Sequence, residues 1–514
     1  TTETLSLKLG VHAEVAANRY FAGNIDEVRI WNSARSEAAI NAEMYRDVAT
    51  NAGGFVHYFK MSNGSGTVLT NDQTGNTTHG TLYGTNASSM WVPSGCFAGP
   101  RNSLLFDGLN DFIEFTSSPP YNNDAITIEA WIKSTSTAVE REIVGWGQPL
   151  SNDVVEFRMS GGKLQFGIDV VGWESVMGVT DINTGRWTHV AVVKTGSTVK
   201  LYVDGKLDIS GTVAKTPTLS LCRIATLFQN NANRSYYFPG SIDEVRIWHR
   251  SLSETELRDG MFRNLAGNEP DLVAYYRFDQ SNGTTLYDLT SNNRHGTMQN
   301  MVAGALETSS AFNTWIGEVS TDWSVSRNWS RNSVPGSTDN VGLYKWTTIG
   351  NDPSITGTPT VNHILFSASS SPVITSGMTV LGNMILGKNT NINSQQFFLW
   401  TDGYLVEGNY RLSATTGRIY TSRPLNNISN LNVAGLGAII TTNVNLGNTE
   451  VSRFHAEITQ GLQKSVLRSY YIQPSTNTGL NATLTFTYHG DELNGLNENN
   501  LKLFKSVNGT VWTK

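Results

Sequence analysis

Cysteine is nearly missing: Cys96 and Cys222 are the only two in 514 residues, too few for a disulfide framework. They pair if the strands carrying them lie side by side, and otherwise stand as two separate buried thiols. Charge is sparse as well, at 16% of residues with a net charge of −6. No block of Lys and Arg occurs, which argues against a nucleic-acid partner or an anionic-membrane surface. There is no run of about 18 apolar residues, so no membrane insertion through a spanning helix is expected. No basic, apolar, small-residue leader opens the chain. It begins at Thr1 within a strand-like run and stops just after Val511 and Trp512, which reads as a piece of a longer protein. The HExxH, GxSxG and phosphate-loop motifs are absent too.

What is plentiful is glycine (48 residues), together with Asn, Ser and Thr. That mixture favours many short strands joined by polar turns, in roughly two to four domains. Sequons such as Asn76-Thr-Thr78 and Asn481-Ala-Thr483 are numerous, as composition alone produces in such a chain.

One phrase occurs twice. Phe21-Ala-Gly-Asn-Ile-Asp-Glu-Val-Arg-Ile-Trp31 returns as Phe238-Pro-Gly-Ser-Ile-Asp-Glu-Val-Arg-Ile-Trp248, a shift of 217 residues (238 − 21). That is too long for a solenoid period and about right for a domain. Phe55-Val-His-Tyr-Phe59 likewise matches Val273-Ala-Tyr-Tyr-Arg277, and His79-Gly-Thr-Leu82 matches His295-Gly-Thr-Met298. The chain is an array of β-rich modules.

Residues 1–48 read as the C-terminal remnant of one module, with a short helix over Ser36 to Met44. A complete module is expected over 52–264, since Thr127-Ile-Glu-Ala-Trp-Ile132 and Trp187-Thr-His-Val-Ala-Val-Val193 alternate as half-buried antiparallel strands do. Turn signals such as Ser160-Gly-Gly162 recur every 8–12 residues or so, the mark of a sandwich. Ser253-Glu-Thr-Glu-Leu-Arg258 repeats the short helix. Residues 271–312 read as a partial module or hairpin linker, and 313–428 as a Trp-rich, solenoid-like β-repeat of short rungs. Residues 429–514 read as a closing β-sandwich-like unit.

Leu105-Phe-Asp-Gly-Leu-Asn-Asp-Phe-Ile113, Ile128-Glu-Ala-Trp-Ile132, Arg186-Trp-Thr-His-Val-Ala-Val192, Tyr202-Val-Asp-Gly205 and Gly240-Ser-Ile-Asp-Glu-Val-Arg-Ile-Trp248 stand in family order. Together they resemble the laminin-G-like superfamily, jelly rolls of the concanavalin A-like kind. The Trp315–Val341 stretch resembles repeats in large surface adhesins of gliding, type IX-secreting bacteria. The fold class expected is therefore all-β: a jelly-roll sandwich followed by β-solenoid and β-sandwich repeats.

The resemblance implies calcium as a cofactor, joining a first-strand loop to the last strand through oxygen ligands. The matching positions are Asp72 and Asn76 in the loop, Asp107 and Asp111 in a second cluster, and Asp243 in the last strand. The alternative is that Asp107 and Asp111 shape a turn and Asp243 takes a structural hydrogen bond. It also implies glycan binding, in which Trp or Tyr stacks on sugar and amides bond hydroxyls. Candidates are Trp146 and Trp173, both flanked by glycine, and Asn230, Tyr236 and Tyr237 around a polar loop. Packing under loops is the competing account of each. His189 reads as a structural histidine. Enzymes on this fold carry a Glu-x-Asp-x-x-Glu run. None occurs here, and Glu114, Glu129 and Glu156 are each isolated in their strands.

The function expected is a non-catalytic, extracellular adhesin fragment of a bacterial cell surface, its partner a polysaccharide or cell-surface glycan. An accessory binding region of a secreted polysaccharide-degrading enzyme is the alternative. A structural stalk self-associating into a filament is a third.

Overall fold

In this computed structural model the described residues are 101–514 except 234, 280–282, 303, 318, 345–350, 392–394, 401, 414–416, 461–462, 508 and 510. Before 101 they are 7–11, 20–36, 39–40, 53–61, 66–72, 75, 77–84 and 91. Cys96, Asn76 and most of the helix expected over 36–44 lie outside the described residues. The chain forms two compact units, 1–97 with 346–350, and 98–345 with 351–514.

The repeated phrase is repeated in space. In the first unit Val28–Trp31 runs antiparallel to Phe55–Phe59, from Val28 against Phe59 to Trp31 against Phe55. In the second unit Val245 faces Tyr276 and Trp248 faces Leu272, every partner displaced by 217 (245 − 28 and 276 − 59). A bulge falls between Ile30 and Trp31 and again between Ile247 and Trp248. Glu27 and Glu244 both adopt φ of +52°, a left-handed conformation costing roughly 1–2 kcal/mol without glycine. Charge-assisted bonds offset it. Arg29 and the Tyr58 hydroxyl donate to Glu27 at 2.8 and 2.5 Å. Arg246 and Tyr275 donate to Glu244 at 2.9 and 2.6 Å.

The second unit holds a sandwich of two eight-stranded sheets. The first runs, in spatial order, Trp173–Asp181, Lys163–Asp169, Val154–Ser160, Arg141–Gly147, Leu221–Ile224, Phe112–Phe115, Gly296–Gln299 and Thr285–Leu286. The second runs Lys206–Thr212, Thr198–Val203, Thr188–Thr195, Ala125–Lys133, Pro239–Trp248, Asn102–Asp107 and Leu306–Thr308, with Leu272–Tyr276 also paired to Pro239–Trp248. Alternation places Ile126, Ile128, Ala130 and Ile132 opposite Val155, Phe157 and Met159 in one core. Burial of such aliphatic side chains contributes about 1.5–3 kcal/mol each.

Strands between 271 and 312, expected as a separate partial module, lie in both sheets and complete them. The strand Phe55–Phe59, expected to open this sandwich, belongs to the first unit instead. The physical reason is pairing. A boundary drawn between the repeated phrase and the strand after it separates two strands that are hydrogen-bonded to each other in both copies. The short helix is as expected. Glu254–Met261 is capped by Ser253, whose hydroxyl accepts from Glu256 N while the Glu256 carboxylate returns the bond.

Beyond it the ladder becomes parallel. Asn313–Trp315, Asn340–Leu343, His363–Phe366, Asn383–Leu386 and Tyr404–Val406 stack as solenoid rungs. Thr360–Val361, Met378–Val380, Gln396–Leu399 and Arg418–Asn432 stack on a second flank, extended antiparallel by Ala438–Phe454 and Ser469–Pro474. Trp315, Trp323 and Trp329 meet edge to face, at 5.0 and 4.7 Å. One core runs from Trp315 to Val451, so the closing strands share the solenoid's interior rather than forming a sandwich of their own.

The outer face of the second sandwich sheet is covered by the helix and the solenoid. Trp131 packs on Phe262 and Phe312 at 5.6 and 6.0 Å and donates to Met261 O. Tyr344 donates to Asp259 O, and Lys206 lies 3.8 Å over the Tyr404 ring. His189, on this face, is held by Glu129 at 3.0 Å, a structural histidine as expected.

Candidate functional site: the outer face of the first sandwich sheet

With one sheet face occupied by the solenoid, the outer face of the other sheet is where the sandwich can meet a ligand, at its exposed edge strand Trp173–Asp181, since Glu156, Arg158, Ser160 and Gln165 further in are themselves buried. Val155, Phe157 and Met159 point inward, so Glu156, Arg158 and Ser160 point outward. Register then brings Gln165 beside Arg158 and Gly167 beside Glu156. It sets Met177 and Ser175 beside those two in turn, and Trp173 beside Asp169.

A hydrogen-bond chain crosses these strands. Gln165 Nε2 donates to Ser175 Oγ at 3.1 Å, and Arg158 Nε donates to Gln165 Oε1 at 2.9 Å. Arg158 Nη1 pairs with the Glu156 carboxylate and lies 3.7 Å from Glu140 Oε1. The Trp173 ring stands 4.7 Å from the guanidinium, a cation–π contact. Trp173 is 38% exposed and rests on Gly167, where a β-carbon would lie 2.2 Å from its ring. Gly167→Val is therefore expected to push the indole off the sheet, read as a red shift and faster quenching of tryptophan fluorescence.

Glu142 lies on the same face, fully buried. Neither of its carboxyl oxygens finds a donor among the described residues. It is sealed in, because a β-carbon at Gly145 would meet Leu227 at 2.9 Å and the Glu142 carboxyl carbon at 3.0 Å. Burial, then repulsion from Glu156, pushes the Glu142 pKa well above the usual carboxylate range, with Arg158 opposing. Burial, opposed by Arg158 and helped by Glu140, raises Glu156 to about 7. Glu156 is thus not isolated, since folding brings Glu142 and Glu140 to it. Glycosidic hydrolysis needs two carboxyl groups flanking a bond, and the sealed Glu142 cannot reach one.

The expected binding residues divide. Trp173 and Tyr236 come to this face. Trp173 stands at a strand end, opening the edge strand. Tyr236 is half-buried, its hydroxyl pKa raised by burial and then by Glu140 and Glu156. Tyr237 packs at 6.5 Å on Phe112, beside Arg223, which pairs with Glu114 at 2.6 Å. Asn230 sits at φ +51° in a hairpin turn and donates to Asn152 Oδ1 at 2.6 Å.

Trp146 corrects the expectation. It is a core residue, 1% exposed, donating to Pro119 O at 2.8 Å. Its flanking glycines answer a different demand, the loop that crosses the opposite face. A β-carbon at Gly147 would lie 1.7 Å from Phe228 O. The residues missed from sequence are Arg158, Gln165 and Ser175. Their only signal is their place as the outward members of alternating strands.

Of the expected calcium ligands that lie among the described residues, Asp107 and Asp111 share a turn, while Asp72 and Asp243 stand apart from them. Asp107 Oδ1 caps a turn, accepting from Leu109 N at 2.7 Å and Asn110 N at 3.2 Å. Asp111 Oδ2 accepts from Asp107 N at 3.0 Å, while its Oδ1 is buried without a donor. Asp243 is buried and accepts from Glu244 N and Ser309 Oγ, at 2.8 and 2.5 Å. Burial, then Glu244 and Asp279, push its pKa well up. Asp72 lies in the first unit, accepting from Lys60 N. Among the described residues no three His, Cys, Asp or Glu side chains are grouped to hold a metal.

Residues 107–258 match the family model Laminin_G_3, described as the concanavalin A-like lectin/glucanases superfamily. No curated protein matches the chain. Among solved structures, a candidate carbohydrate binding protein from Bacteroides ovatus is 17% identical with a TM-score of 0.32, over 41% of this chain and 60% of that one. The sialidase CBM40 of Ruminococcus gnavus, bound to sialyllactose, is 15% identical with a TM-score of 0.24, over 26% and 81%. Domains LG4-5 of the mouse laminin alpha1 chain are 16% identical with a TM-score of 0.25, over 35% and 48%. The chain thus spans 60% of the length of the first of these. None is similar enough for its ligand to be carried over, but the matched segment and the two-sheet topology agree that the sandwich is a concanavalin A-like jelly roll.

Proposed function

We propose that this chain is part of an extracellular, non-catalytic adhesin of a bacterial surface, and that its jelly roll binds glycans on the Trp173 face. The observation that carries the reading is the exposed indole of Trp173, seated on Gly167 beside the polar chain Ser175–Gln165–Arg158. An exposed aromatic face beside an exposed hydroxyl, Ser175, both held in place by the buried Gln165 and Arg158 beneath them, suits a sugar ring. Binding at one such shallow face is weak, and multivalency along an array of such modules strengthens it.

A glycan array with the full chain tests this. Binding to a defined glycan is expected, weakened about tenfold or more in Trp173→Ala. A folded chain that binds no glycan, or that loses nothing in Trp173→Ala, sinks the proposal. Among the described residues the place left for calcium is the Asp107–Asp111 turn, two carboxylates where calcium takes about six to eight oxygens. A chelator is therefore expected to leave glycan retention unchanged. Loss of retention would move the site to that turn.

A further inference from the structure

We infer that the solenoid carries a second ligand site, distinct from the Trp173 face, which takes a neutral polysaccharide. On its second flank Val380, Leu399, Ile419 and Val451 point inward, so the alternate residues face out. Pairing sets Thr379 against Phe398, Phe398 against Tyr420, Tyr420 against Ser452 and Ser452 against Tyr471. The result is one row of side chains crossing five strands. Phe398 and Tyr420 rings lie 4.9 Å apart, and Trp400, two residues on, meets Phe398 edge to face at 5.5 Å. Trp400 is 50% exposed and Tyr471 45%.

Beside this row is a cleft of about 340 Å³, lined by Thr358, Gly377, Thr379, Gln395, Gln396 and Phe398 among others. That volume lies within the range of ligand sites. At Gly377 a β-carbon would meet Gln396 O at 2.4 Å, so the cleft floor admits no side chain there.

Chemistry selects the occupant. No lining residue is charged. Two cations flank the row: Arg418 pairs with Glu450 at 2.7 Å, donates to Ser452 at 3.0 Å and stacks 4.0 Å from the Tyr420 ring, while Arg423 is turned to the Trp400 and Gly403 carbonyls at 2.9 and 2.7 Å. An anionic polymer therefore finds no counter-charge in the cleft lining itself. Arg418 Nε also donates to Gln396 Oε1 at 3.3 Å, which turns the Gln396 amino end outward as a donor. An added peptide strand would need an open sheet edge, whereas this is a face whose backbone groups are already paired. Exposed aromatic faces beside uncharged amides and hydroxyls match the apolar faces and hydroxyl rims of neutral sugars.

Affinity electrophoresis of the full chain through gels holding barley β-glucan, xylan or galactomannan tests this, with polygalacturonate as the anionic comparison. Retardation is expected in at least one neutral gel, about tenfold weaker in Trp400→Ala and reduced in Gln396→Ala. Trp173→Ala should leave that solenoid-dependent part intact, which separates failure of this site from failure of the jelly-roll site. No retardation in any neutral gel, retardation by polygalacturonate alone, or retardation indifferent to both solenoid variants overturns the inference. Both side chains are surface-exposed, and circular dichroism checks that the variants fold.

Discussion

Replacing Arg246 with alanine is expected to destabilise the second unit by about 3–5 kcal/mol, because it strands buried carboxylates. Arg246 is 1% exposed. Its guanidinium lies 2.9 Å from Glu244 and 3.5 Å from Glu129, and donates to Gly260 O at 3.0 Å and Arg263 O at 2.6 Å. One side chain thus ties the last long strand to its neighbour and to the end of the helix. Burial already raises the Glu244 pKa, with Arg246 and then Arg277 opposing it. Without Arg246 that acid must take up a proton or unfold the strand, and the strained backbone at Glu244 loses part of its anchor. Urea denaturation followed by circular dichroism measures the loss, and a change below about 1 kcal/mol would show that the network is not a structural necessity. Arg29 and Glu27 repeat the pair in the first unit at 2.8 Å.

Raising the pH from about 4.5 to 8 is expected to weaken the jelly roll, through Glu156 and Glu142. Both have folded pKa values raised mainly by burial, Glu156 to about 7 and Glu142 well above the ordinary carboxylate value. The folded state therefore holds protons that the unfolded chain has released. The stability this gives is complete below the unfolded pKa, near 4.5. It is lost as pH rises through the folded values, at up to about 1.4 kcal/mol per pH unit for each proton held. Glu142→Met fills the same space without a charge to desolvate. It should leave stability near pH 4.5 almost unchanged and raise it at pH 8 by about 1–3 kcal/mol, the cost of an unsatisfied buried polar group. Thermal melts of both proteins across this range decide it. Parallel pH profiles would mean that Glu142 carries no trapped proton.

Several elements were legible without coordinates. Alternation in Thr127–Ile132 and Trp187–Val193 predicted strands whose inward residues form the core, and the Ser253–Glu256 spacing predicted the capped helix. Trp173 and Tyr236 were legible as site candidates from their glycine and polar neighbours. These signals are local: a period of two, a cap, a turn residue. The 217-residue repeat was visible too, and even its left-handed glutamate recurs.

What tertiary structure alone decided depends on contacts distant in sequence. Gly145 and Gly147 looked like the setting of an exposed tryptophan. They are instead the clearance for Leu227 and Phe228 on the far side of the sheet, and Trp146 turns inward. Glu156 looked isolated along the chain, yet an adjacent strand sets Glu142 near it. Asp107 and Asp243 share a motif set but not a site, since hydrogen bonds claim each separately. Above all, the solenoid covers the outer face of one sheet and the 227–237 loop crosses the other, which leaves the Trp173–Asp181 edge strand exposed. Periodicity states which residues share a face; only packing states which face is left for a ligand.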